Sequence, residues 1–97
     1  MLKQTLTALA LVTASTAVFA GPDCTSEPQE KWMSVLDMQK KIVNDYGFTM
    51  EKFKVTSGNC YEIYGAAPKE EGSDEMVKAE IYFNPLDGEI AKKSLKD

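Results

Sequence analysis

Residues 76–83, MVKAEIYF, alternate strictly: Val77, Ala79, Ile81 and Phe83 fall on one side of an extended chain, and Met76, Lys78, Glu80 and Tyr82 on the other. A period of two marks a strand with one buried face. The next residues dictate how the chain leaves that strand. Pro85 holds φ at about −65° and biases Asn84 away from the helical region, while Gly88 tolerates the positive φ that closes a turn. Glu89, Ile90, Ala91 and Lys92 then return as an antiparallel partner. The oxygens of Asn84, Asp87 and Glu89 also invite a calcium-loop reading. Pro85 and Leu86, however, stand where such a loop places alternating ligands, so the segment is expected to turn the chain.

The same pattern extends upstream. Phe53 and Val55 alternate with Lys52, Lys54 and Thr56; Ser57-Gly58-Asn59 is turn chemistry; in CYEIYGA, Tyr61 and Ile63 oppose Glu62 and Tyr64. A polar stretch, residues 68–75, joins this hairpin to the next. Before residue 47 the period changes to that of a helix, with Trp32, Val35, Leu36, Ile42, Val43 and Tyr46 near one face. Ser26 with Gln29 fits a capping box, Pro28 suits a first turn, and Gly47 suits the stop, which predicts one amphipathic helix over about residues 27–46. The expected fold class is α+β: this helix packed on a four-stranded antiparallel sheet, in two layers, with Trp32, Leu36 and Ile42 lying on Phe53, Val55, Ile63, Val77, Ile81 and Phe83.

Residues 1–20 have the form of a signal peptide. Lys3 supplies a short positive end, LTALALVTASTAVFA is apolar and small, and Val18-Phe19-Ala20 offers a cleavage site. Five Thr or Ser residues and the lack of a positive flank after Ala20 argue against a retained membrane span. The expectation is an exported domain of residues 21–97, periplasmic or secreted, with no stable membrane insertion. A core that small is marginal without help. Cys24 and Cys60, the two cysteines of the chain, are therefore expected to form one disulfide in an oxidising compartment. A redox or metal pair is disfavoured by the missing CxxC spacing and the absence of histidine. The bridge carries a tension: alternation puts Cys60 on the side of Glu62 and Tyr64, whereas Cys24 precedes the helix on the other side.

From residue 21 onward ten lysines face fifteen acids, a formal net of −5, which makes nucleic acid and anionic membranes poor partners. Without histidine, neither a tuned nucleophile–base pair nor a three-ligand catalytic metal is expected, and the acids do not suggest a catalytic carboxylate pair. No enzyme and no cofactor are expected. The acidic loop Glu70, Glu71, Asp74 and Glu75, with Asp87 as a further candidate ligand, is the alternative: a weak calcium or metal-ion site. Met33, Met38, Met50 and Met76 are scattered, which suits gap filling or exposure rather than soft-metal binding. Trp32 belongs with the core. The outward strand face, Tyr64, Tyr82, Glu62, Lys78 and Glu80 beside Lys54, is the candidate partner-binding surface, because tyrosine gives contact area at low entropy cost. The plainer reading of each of those residues is a solvated sheet face with ordinary cross-strand pairs.

The order of these features, a Trp-bearing helix ending in Gly, NCYEIYGA, an acidic loop and AEIYFNPLDGEI, resembles the PepSY domain of peptidase propeptides and the sporulation protein YpeB, in its small stand-alone exported form. Tyr61-Glu62-Ile63 and Asn84-Pro85-Leu86-Asp87-Gly88-Glu89-Ile90 match that family's motifs, with Asn84 where Asp is usual. The resemblance implies a non-catalytic protein-binding or regulatory module acting on another envelope protein, a protease or sensor, in trans. In thermolysin-like proteases such domains assist folding and restrain the enzyme.

Overall fold

The computed structural model describes residues 21–96; the segment expected to be a signal peptide and Asp97 lie outside the described residues. Strands β1 (Thr49–Val55), β2 (Tyr61–Pro68), β3 (Met76–Phe83) and β4 (Ile90–Lys96) pair antiparallel with their chain neighbours in the order β1-β2-β3-β4. One face of this meander carries the helix α1 (Val35–Lys40), continued by a π turn over Lys41–Asp45. The two-layer α+β fold with a Cys24–Cys60 disulfide is therefore as expected. No helix among the described residues is long and apolar enough to cross a membrane.

Alternation holds across the central strands. Tyr61 faces Phe83, Ile63 faces Ile81 and Ala67 faces Val77, so β2 and β3 present one apolar face to the helix. Met38 and Ile42 press onto it, with Phe48, Ala79 and Phe83 completing the buried cluster. Gly65 is required here. A Cβ at that position would run into the Thr49 carbonyl of β1, where Glu51 bulges out of register.

The helix differs from its expected span. Gln29–Lys31 is an isolated 3₁₀ turn, and the backbone is extended at Trp32 and at Ser34 before α1 begins at Val35. Tertiary partners explain the break. The Met33 amide donates to the Pro85 carbonyl (2.9 Å), the Tyr61 hydroxyl donates to the Met33 carbonyl (2.7 Å), and Trp32 packs edge-on against Tyr61 with ring centroids 5.5 Å apart. These bonds take backbone groups that a continuous helix would have used. Ser34 caps the shortened helix, its hydroxyl accepting from the Asp37 amide at 3.0 Å.

The later start also re-phases the helix. Met38 and Ile42, four residues apart, become the buried row, while Leu36, expected on the sheet, is 59% exposed. Val35 and Val43 are exposed too. Val55 corrects a second expectation: it lies on the core side of β1 but at the end of an edge strand, beyond the helix, and is exposed.

Candidate functional site

The sheet face away from the helix is where the candidate residues gather. Directly paired residues of neighbouring strands share a face. The registers Lys52↔Tyr64, Lys54↔Glu62, Ala66↔Lys78, Tyr64↔Glu80, Lys78↔Lys96, Glu80↔Ser94 and Tyr82↔Lys92 therefore set all these side chains on one surface. Five lysines meet two acids there, although acids outnumber lysines over the domain as a whole. The molecule is polarised: its open sheet face is basic and the remainder strongly acidic.

A strap formed by residues 21–24 borders this face at Tyr82. Gly21 lies so close to the Tyr82 ring that a Cβ there would meet its Cε2, Cζ and hydroxyl. The Cys24 amide donates to the Gly58 carbonyl (2.9 Å), the Asn84 amide nitrogen donates to the Cys24 carbonyl (3.2 Å), and Asn59 donates to the Thr25 carbonyl (3.0 Å). The strap thus passes the sheet end at the Ser57-Gly58-Asn59 turn, where Cys24 and Cys60 come within 5.2 Å between Cα atoms. This route resolves the tension over Cys60, because Cys24 arrives across the sheet end rather than from the helix layer. Asn84 also acquires a reason: its amide offers the strap a donor that Asp would lack, while its Oδ1 accepts from Leu86 (2.9 Å) inside the turn.

Near the strap Tyr82 is 8% and Glu62 2% exposed, whereas Tyr64 is 40% exposed. Tyr64 and Tyr82 both donate to Glu80 Oε2, at 3.1 and 3.0 Å. Lys54 Nζ stands 3.6 Å from Glu62 Oε1 and 5.7 Å from the Tyr64 ring centroid. Glu62 Oε2 is buried with no hydrogen-bond partner among the described residues. Burial, and next the adjoining Glu80 carboxyl, push Glu62 up, against the pull of Lys54. Glu80 is held low, first by the adjoining Glu62 carboxyl and then, against its own partial burial, by the two phenols and Lys92. Two hollows flank Tyr64. One, about 200 Å³, is lined by Lys54, Glu62, Glu80 and Tyr82; the other, about 150 Å³, by Lys78, Glu80, Ser94 and Lys96.

All four phenols of the domain resist ionisation. Tyr64 is pushed up to about 12, chiefly by its bond to Glu80; Tyr82 is raised by burial and then by Glu80, Tyr46 by burial and then by Glu89, and Tyr61 by burial. A phenol pKa raised on folding contributes stability that is complete below its unfolded value of about 10 and is lost as pH climbs toward the folded value. Ultraviolet titration of the native protein is therefore expected to show less phenolate at pH 10 than denatured protein, with Tyr64 ionising only toward pH 12.

Elsewhere the candidate residues disperse. Glu70, Glu71, Asp74 and Glu75 are exposed along the loop from Lys69 to Glu75, and no group of three or more acids, Cys or His converges as a metal site among the described residues. In the turn after β3, Asn84 and Asp87 spend side-chain oxygens on the amides of Leu86 and Glu89. Gly88, with φ of 76°, donates to the Asn84 carbonyl, so the segment closes a turn. Alternation sets Lys52 outward without including it in the candidate face; sequence reasoning missed Lys92 and Lys96 as members of the open face, and it missed the strap.

The match to a known family spans nearly the whole chain, residues 4–94. No curated protein and no solved structure matches it. The motif Tyr61-Glu62-Ile63, the turn from Asn84 to Gly88, the helix-on-sheet layers and the family match agree, and the chain belongs to the peptidase propeptide and YPEB domain family.

Proposed function

We propose that this protein is an exported, non-catalytic binding module that regulates another envelope protein, a protease or sensor, in trans through its open sheet face. The family supplies the general role, since its members are propeptide-like or regulatory modules. The single observation that points to this face is its charge: five lysines around the half-exposed Tyr64 in an otherwise acidic domain. Such an asymmetry steers encounter with an acidic surface and orients the docked pair. Tyr64 has the form of an anchor, with a hollow on either side and its hydroxyl already bonded to Glu80. Recognition through the sheet edges is less favoured. The edge strands carry two lysines (β1) and three (β4), the usual guard against strand addition.

The test is direct. The domain beginning at Gly21 is added to a purified thermolysin-type zinc peptidase, and residual activity and refolding yield are followed against domain concentration and salt. Dose-dependent inhibition or faster refolding is expected, weakening as salt rises. The Lys78→Glu/Lys96→Glu variant should bind on the order of tenfold more weakly and Tyr64→Ala weaker still. A peptidase indifferent to the domain at every concentration would remove the protease from the reading.

A further inference from the structure

The hollow beside the strap contains an unfilled electrostatic demand. Glu62 from β2 and Glu80 from β3 bring two carboxyl groups together beneath Tyr82, and Glu62 Oε2 is buried without a donor among the described residues. The charged groups around the pair are Lys54 from β1, which reaches Glu62 Oε1 alone, and Lys92 from β4, which acts on Glu80. Tyr64 and Tyr82 spend their protons on Glu80, and Asp23 of the strap lies by Gly58. Neither lysine supplies a donor to Oε2.

Gly21 is the strap residue that lies on Tyr82, whose hydroxyl bonds Glu80 of this pair. Its Cα packs on the hydroxyl end of Tyr82, itself 3.0 Å from Glu80 Oε2, so covalent geometry keeps the Gly21 nitrogen within about 6 Å of that hydroxyl. We propose that removal of the leader after Ala20 creates an α-ammonium at Gly21 that docks against the Glu62–Glu80 carboxyl pair and completes the strap. This rests on the export reading, which supplies the cut. Before cleavage the same nitrogen is an uncharged amide; afterwards it carries the one new positive charge the site lacks, with three donors. The strap is pinned nearby by Cys24 and by the Asn84 bond, so docking restricts only three further residues. Glycine suits the position twice: a side chain would strike Tyr82, and its φ of 78° is one that other residues seldom adopt. The consequence is that the open face is finished only in the mature chain, so that the precursor remains less stable until it has been exported and cut.

The experiment uses the full precursor, exported and oxidised, with intact mass measured first. A mass beginning at Gly21 establishes the cut; a start elsewhere overturns the cleavage reading, and the proposal with it. With the cut established, the Gly21 amine is titrated by NMR in ¹⁵N-labelled mature protein. A pKa at least about one unit above the ordinary value of about 8 is expected. The thermal midpoint should fall when the amine is acetylated or when Ala20 is retained, and Glu62→Gln should abolish that difference. An amine that titrates normally, with acetylated and free proteins melting together, overturns docking while leaving export intact, and assigns the hollow to a cation from outside the chain.

Discussion

Replacing Cys24 and Cys60 with serine is expected to lower stability by about 4 kcal/mol, as measured by urea unfolding followed through Trp32 fluorescence. The bridge closes a sequence separation of 36 residues, and the entropy that such a loop removes from the unfolded chain is of that size. A domain this short has only about 4–11 kcal/mol in total, so the loss brings it to the edge of unfolding. The local consequence is larger than the global one. Without the bridge the strap is held by the bonds of Cys24, Asn59 and Asn84 alone, and the cover over Tyr82 loosens. Tyr82 should then titrate closer to an ordinary phenol. An unfolding midpoint shared by the oxidised and double-serine proteins would show that the bridge merely decorates the fold.

Phe83→Ala should cost about 3–5 kcal/mol. Phe83 is fully buried and lies against both Tyr46 (centroids 5.5 Å) and Phe48 (6.5 Å), so truncation leaves a cavity that three elements would have to collapse to fill. Its carbonyl also lies 3.5 Å from Cys24 Sγ, which ties the end of β3 to the bridge. Leu36→Ala is the informative control. Were the helix phased as its apolar pattern suggests, that change would cost several kcal/mol; with Leu36 exposed, it should stay within about 0.5 kcal/mol of wild type. Equal losses from the two substitutions would contradict a helix phased on Met38 and Ile42.

Where the fold was legible, the cause was local. The alternation of residues 76–83 survives as the buried face Val77, Ala79, Ile81 and Phe83, and an even cysteine count in a small chain led to the bridge. Where it was not, the cause was tertiary. Ser26, Pro28 and Gln29 form a respectable helix start, yet the backbone of Met33 finds better partners in Pro85 and Tyr61, and Ser34 with Asp37 takes over as the cap. The open face was harder still. A register shift between Tyr82 and Phe83 reverses the parity of β4, which sends Lys92, Ser94 and Lys96 outward and Ile90 and Leu95 inward; simple alternation from Ile90 would have put Lys92 inside. Likewise, a Glu in an outward register looks solvated, yet Glu62 is 2% exposed, packed in a hollow with Lys54, Glu80 and Tyr82, and Tyr82 in turn lies under Gly21 of a strap held by a bridge between distant positions. The averaged charge of −5 concealed the basic face, because net charge says nothing about where lysines gather.

The claim on which the functional account rests is that a partner docks on the open face, and an amide-exchange footprint of the mature domain with saturating thermolysin-type peptidase addresses it most directly. Protection concentrated around Tyr64, Lys78, Glu80, Ser94 and Lys96, and reduced at high salt, is the predicted result. Protection confined to the exposed helix positions Val35, Leu36 and Val43, with the open face unchanged, would contradict it and move the binding surface to the other layer.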